Sequence, residues 1–260
     1  MGIEKLRYTT DGTLEGLLTA LFIAFDQEQQ PDYILTQADD QISMFTSDVP
    51  ILTSISQAAA MQSMIVHAIG EQGYANVKKL FLSDDIDAGG ISYRYLQYTM
   101  PRGSRSLNHI ANSAVSDALE VIRQVQRESQ FMIQFIRFAD IGNGLYYAHI
   151  SPKANVIPLI MGHFADRYSI QPFIIHDSGH CLSGVFDMTK WWLVEGVPQG
   201  ISMSASDEDM YQELWRRFFK TIAIPERRNP TVQRSFMPKR FWGDMCEQHI
   251  AYTKRGENKG

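Results

Sequence analysis

Hydrophobic positions along the first half of the chain repeat with the period of an α-helix. After the turn-prone Asp11-Gly12-Thr13, the residues Leu14, Leu17, Leu18, Leu21, Phe22 and Phe25 fall at i, i+3, i+4, i+7, i+8 and i+11. That spacing lays them on one helical stripe, with Asp11 or Thr13 as the N-cap. A second helix is predicted from about Ser54, with Ile55, Ala58, Ala59, Ile65, Val66 and Ile69 facing inward and Gly70 or Gly73 ending it. A shorter helix around Asn76 to Leu82 follows. Ile91 to Met100 is assigned to helix as well, although Tyr93, Tyr95 and Tyr98 also alternate as strand residues do. From Asn108 to about Glu128, Ile110, Ala114, Val115, Ala118, Leu119, Ile122 and Val125 keep helical spacing and predict the longest helix.

Near Phe131 the pattern becomes strand-like. Phe131 to Phe138 and Leu145 to Ile150 are short aromatic and β-branched runs around the turn-forming Asp140-Ile141-Gly142-Asn143-Gly144, a hairpin signal. Ser151 to Tyr168 reads as a helix with Pro158 in its first turn. Gln171 to His176, Cys181 to Asp187 and Trp191 to Val194 read as three more strands, and Ser206 to about Ile222 as a last helix that Pro225 stops. The expected class is therefore α+β. A helical N-terminal half packs on a mainly antiparallel β-β-α-β-β-β unit, with a C-terminal helix and an irregular basic tail. The expected organisation is one compact domain over 1–260: a mainly helical layer at 1–130, an antiparallel sheet with one helix at 131–195, and a C-terminal helix with basic segment at 206–242.

Charge changes this picture in one place. Tyr211 to Trp242 holds eight basic residues against two acidic ones, about +6 in a chain whose net charge is -5, so the remainder is about -11. Arg216, Arg217 and Lys220 suit the negative end of the predicted helix dipole. Arg227, Arg228, Arg234, Lys239 and Arg240 lie beyond that helix, interleaved with Phe236, Phe241 and Trp242. That mixture fits phosphate contacts with base stacking.

Other chemistry is mostly excluded. No apolar run approaches the roughly 20 residues that cross a bilayer, and no signal-peptide core is seen, so a cytoplasmic protein with no membrane partner is expected. Two cysteines, Cys181 and Cys246, cannot form a disulfide framework or by themselves hold an iron-sulfur cluster. Phosphate-loop, dinucleotide, zinc-helix and nucleophile-elbow motifs are missing. His176-Asp177-Ser178-Gly179-His180-Cys181 groups imidazoles, a carboxylate and a thiol. On a strand-turn-strand, however, His at i and i+4 need not meet, so no metal and no cofactor are assigned, and the catalytic residues stay unknown. Cys181 is expected to be an ordinary free thiol, and a satisfied helix histidine explains His163.

Several blocks also carry a resemblance: Asp11-Gly12-Thr13-Leu14-Glu15-Gly16, Ile136-Arg137-Phe138, Tyr146-Tyr147-Ala148, Ser151-Pro152-Lys153, His163-Phe164-Ala165-Asp166-Arg167, and Gln233-Arg234-Ser235-Phe236-Met237-Pro238-Lys239-Arg240-Phe241-Trp242. In this order they resemble a bacterial family of DNA-metabolism proteins. Its domain has no assigned function, and it is found beside a radical-SAM protein or fused to a uracil-DNA-glycosylase-like domain. The resemblance implies a role in DNA repair or modification and one of those enzymes as partner. It carries over no catalytic residues. Ser178-Gly179-His180 departs from the pattern, because relatives tend to have arginines after the His-Asp pair.

The expectation that results is a DNA-binding accessory protein. Arg227, Arg228, Arg234, Lys239 and Arg240 would contact phosphate, with Lys153 and Arg167 as secondary candidates, and Trp242 or Phe241 would stack on a base or close the core. Two alternatives stand beside it. One is an enzyme acting on a nucleotide or damaged base at His176, Asp177 and His180. The other is a structural module whose basic segment recognises an acidic protein.

Overall fold

The computed structural model describes residues 5–36, 46–142, 144–196, 237 and 239–244. The chain has an α+β fold and divides into two compact units, Met1–Arg127 and Glu128–Gly260. The division falls where the residue pattern changes from helical to strand-like. The predicted helix at Ser206 to Ile222 lies outside the described residues.

The first unit contains strands that the helical reading did not anticipate. β1 (Lys5–Thr9) lies between β2 (Tyr33–Leu35) and β3 (Thr46–Pro50), parallel to both. Strands of three to five residues carry too few positions to display a period of two, and β3 reads Thr-Ser-Asp-Val-Pro, with little apolar character. Pairing supplies what the pattern lacks. The register sets Arg7 opposite Asp48, and the guanidinium grips both carboxylate oxygens, which holds the Asp48 carboxyl below its ordinary range.

α1 (Leu14–Asp26) connects β1 to β2, and the Thr13 hydroxyl caps it by accepting from the Gly16 amide at 2.9 Å. α2 (Ile55–Phe81) is capped by Ser54 and interrupted at Gly70, whose φ of 78° and ψ of 174° lie outside helical space. Of the two predicted stops, Gly70 is thus the break, and Gly73 sits within the second segment. α3 (Ala88–Thr99) is helical as expected. The unit's core joins Tyr8, Leu17, Leu21, Met61, Ile65, Val77, Leu80 and Leu96 with Val115, Ala118 and Ile122 of α4 (Ser113–Phe135).

α4 is where the strand prediction fails. Phe131 to Phe135 are its last turns, with the Phe131 and Phe135 rings stacked at 5.8 Å in i, i+4 relation. The Arg137 guanidinium then donates to the closing carbonyls of Phe135 and Ile136. A short apolar run fits either period, and here the helix-end cap decides the matter.

In the second unit only the later strand of the predicted hairpin stands where expected, and no residue of Phe131 to Phe138 is in its partner strand. β4 (Ala139–Asp140) pairs antiparallel with β5 (Tyr146–Ile150). α5 (Ile157–Arg167) begins six residues later than predicted, with Pro158 in its first turn. β6 (Phe173–Asp177), β7 (Leu182–Phe186) and β8 (Trp191–Glu195) complete a five-stranded sheet of order β4-β5-β6-β7-β8, antiparallel except between β5 and β6. α5 lies against one face so closely that a Cβ on Gly184 would sit 2.3 Å from Met161 Sδ. No described helix is long and apolar enough to cross a membrane.

Candidate functional site

β5 and β6 run parallel, so their C-terminal ends share one edge of the sheet, from which the loop to α5 and the turn to β7 both leave. Such an edge is where open sheets carry ligand-binding loops. Register pairs His149 with His176 and Ile150 with Asp177. Alternation then divides the chemistry between faces. Asp177 shares the α5 face with Ile175 and Gly184, while His176 shares the other with His149 and Ser183.

Asp177 is fully buried. Its Oδ1 accepts from the Gly179 amide at 2.9 Å and the His180 amide at 3.3 Å, and its Oδ2 lies 2.6 Å from His180 Nδ1. A carboxylate only accepts, so Nδ1 carries the proton and, in the neutral ring, Nε2 is the basic nitrogen. The His180 side chain is 23% exposed. A ring with that tautomer and orientation can take up and return a proton at Nε2.

His176 is built differently. The Ser183 hydroxyl donates its one proton to the Gly196 carbonyl at 2.6 Å, so it can only accept from His176 Nδ1 at 3.0 Å. Burial, together with the neighbouring His149 ring at 6.1 Å between centroids, lowers the His176 pKa below its usual value and favours the neutral ring. His149 is exposed, with Nε2 3.0 Å from Ser178 Oγ. His176 and His180 are thus anchored on opposite faces of the sheet, and the six-residue cluster does not act as one ligand set. Among the described residues no three His, Cys, Asp or Glu side chains could together hold a metal ion. Cys181 is exposed at φ 50°, in the left-handed end of the turn, and not buried as free cysteines usually are.

The basic candidates separate along similar lines. Arg227, Arg228 and Arg234 lie outside the described residues. Arg240 pairs with Glu128 at 3.1 Å and rests over the Phe241 ring at 4.5 Å. The same Glu128 Oε1 accepts from the Lys153 amide at 2.7 Å. One nearly buried carboxylate therefore ties the loop after β5 to the 3-10 turn Lys239–Asp244. Lys153, Lys239 and Arg240 are all exposed there. Phe241 is buried and meets Phe131 and Phe135, so it closes the core, while Trp242 is partly buried and donates from its indole to Met237 O at 3.1 Å. Arg167 is exposed at the end of α5, over the Tyr168 ring.

The model of a domain of unknown function, DUF4130, matches residues 87–247. The chain belongs to the DUF4130 family. No curated protein matches it. The DUF4130 region runs from the start of α3 through the second unit's sheet, and so contains Glu128, His149, Asp177 and His180.

Two of these DUF4130 residues escape sequence reasoning. Glu128 occupies the inward stripe of α4 at i+7 from Val121 and i+3 from Val125, both buried. A charge on an apolar stripe was the available signal, because burial of a carboxylate demands partners. His149 had none, since only the β5–β6 register sets it beside His176.

Proposed function

We propose that this DUF4130 protein is a nucleic-acid-binding accessory factor of DNA metabolism. In this reading it acts in the bacterial cytoplasm beside a radical-SAM or uracil-DNA-glycosylase-like enzyme. The observation that supports it most is the double use of Glu128, whose carboxylate holds the Lys153 backbone amide and the Arg240 guanidinium, with Lys239 next in sequence. The residues that carry these charges come from segments far apart in the chain, yet Glu128 ties both segments together at the loop that follows β5. Arg227, Arg228 and Arg234 extend the same basic run in sequence. The partner enzyme rests on the resemblance in the sequence blocks.

Glu128 offsets the charge of Arg240, so the phosphate contacts fall first to Lys153, Lys239 and the remaining arginines, with Arg167 secondary. Fluorescence anisotropy with labelled oligonucleotides over a salt series tests this. Each phosphate neutralised should contribute about 0.7 to 0.9 to the slope of log affinity against log salt. Lys239→Ala should lower the slope by about that amount, and Glu128→Gln, which frees Arg240, should raise it. Absence of binding, or binding insensitive to salt, overturns the proposal. Co-purification with the partner enzyme and no DNA affinity would instead favour the protein-docking role.

A second reading is acid-base catalysis on a nucleotide or damaged base. The buried Asp177 carboxylate 2.6 Å from His180 Nδ1 favours it, since that contact sets the tautomer a general base needs. Loss of a reconstituted activity in His180→Gln, with unchanged folding, would support this reading. Retained activity would remove His180 from the chemistry.

A further inference from the structure

We propose that the first unit carries its own nucleic-acid contact, at the connector between α3 and α4, built from Arg102, Arg105, Tyr98 and His109. It extends the nucleic-acid reading to a second surface and rests on that reading. Two 3-10 turns, Met100–Arg102 and Ser104–Asn108, meet at Gly103, whose φ of 74° and ψ of -179° suit only glycine. Ser106 holds this corner, its hydroxyl lying 2.7 Å from Gly103 O and 3.2 Å from Thr99 O, and Leu107 is buried behind it. The backbone from which Arg102 and Arg105 project is therefore fixed before any ligand arrives.

Arg102, Arg105, Asn108 and His109 are all exposed. The Arg102 guanidinium lies 4.1 Å from the centre of the Tyr98 ring and donates to Tyr98 O at 2.9 Å. Tyr98 Oη in turn contacts His109 Nδ1 at 2.6 Å. The guanidinium thus covers one face of the phenol, while the imidazole meets its hydroxyl with the two rings tilted by 43° and their centroids 5.9 Å apart. The guanidinium fork fits a phosphate, and the exposed imidazole offers a face to a base.

Charge supports the same conclusion. No Asp or Glu occurs from Ile91 through Ser116, in a chain whose net charge is -5. Among the described residues neither Arg102 nor Arg105 pairs with a carboxylate, and Arg105 makes no side-chain hydrogen bond at all. By contrast Arg7, Arg94, Arg123 and Arg240 each have an acidic partner. A rigid, cationic, aromatic-backed corner without counter-charge is suited to the phosphodiester backbone of an unpaired strand.

The test compares the full-length wild type with Arg102→Ala/Arg105→Ala and with Lys239→Ala, using a labelled oligothymidylate at several salt concentrations. The double variant should bind more weakly, with a salt slope smaller by about 1.4 for two phosphates of a single strand. Arg105→Ala alone breaks no bond within the fold, so it keeps the test open if the double variant does not fold, and its slope should fall by about 0.7. Replacing both arginines by lysine should keep most of the slope, because the charge remains.

Wild-type binding with an unchanged slope in the alanine variants overturns this inference and leaves the proposed function standing. If the wild type binds no oligonucleotide, inorganic polyphosphate replaces it, with the His109 imidazole proton resonances as readout. A shift in the wild type that the double variant lacks keeps an anion site here and overturns the nucleic-acid reading. No shift overturns both.

Discussion

Asp11 follows β1 in the first unit and Asp177 ends β6 in the second, and each carboxylate collects donors from the turn behind it. Asp11 accepts from the Thr13 amide and hydroxyl at 3.0 and 2.6 Å and from the Thr53 hydroxyl at 2.7 Å. Asp177 accepts from two turn amides and from His180 Nδ1. The local device is the same, an Asp folded back on its own backbone. What differs is the third donor. Around Asp11 it is a hydroxyl, and the Thr13 oxygen goes on to cap α1, so the network is devoted to holding β1, α1 and the start of α2 together. Around Asp177 it is an imidazole with a second nitrogen that can exchange a proton with a ligand. A turn that is structural in one unit becomes a candidate for chemistry in the other through one residue type.

The sharpest way to break this comparison is to delete the buried carboxylate. Asp177→Ala strands two amides and an imidazole, so it should destabilise the second unit by about 2–4 kcal/mol in urea unfolding. A loss no larger than that of Asp11→Ala would mean that burial makes no difference between the two turns. Gly16→Ala comes next. Its Cβ would lie 2.3 Å from Asp11 Oδ1, and displacing that carboxylate should cost about 1–2 kcal/mol despite the better helix propensity of alanine. A double-mutant cycle sharpens the point, because in an Asp11→Ala background the same change should be close to neutral. Asp11→Ala alone should cost about 1 kcal/mol, because it removes the acceptor that orients the Thr13 cap and the Thr53 hydroxyl, measured by thermal or urea unfolding.

The smallest expected effect is a pH dependence. His176 has a folded pKa below its ordinary 6.5, chiefly through burial. The unfolded chain therefore takes up the proton first, and stability is full above about 6.5 and declines as pH falls below it. The Asp11 carboxyl is also lowered, first by the Thr13 hydroxyl, so its contribution is lost only at more acid pH, as the folded group itself protonates. Replacing His176 by Gln should flatten the upper part of this profile while leaving the acid part. An unchanged profile would show that His176 does not govern it.

The elements that sequence reasoning found share a physical cause. α1 with its Thr13 cap, α3, and the break of α2 at Gly70 depend on interactions within a few residues, where periodicity, capping and glycine geometry act directly. The same holds for Pro158 at the start of α5 and for the order of strands β5 to β8. Phe131 to Phe135 is ambiguous because its four apolar residues, Phe131, Met132, Ile133 and Phe135, satisfy both periods until Arg137 closes the helix. β1, β2 and β3 escaped because each is held by its neighbours in a parallel sheet and has little pattern of its own.

The residues alone determined the helical stripes, their caps, the class of fold and the separation of a basic C-terminal run from an acidic remainder. Tertiary structure alone decided which polar groups meet. His149 reaches Ser178 across 29 residues of chain, Glu128 collects the Lys153 amide and Arg240, and His176 parts from His180 although only three residues lie between them. Strand register and face alternation set those meetings. A shift of one residue in the β5–β6 pairing would move His149 away from His176 without altering any local propensity.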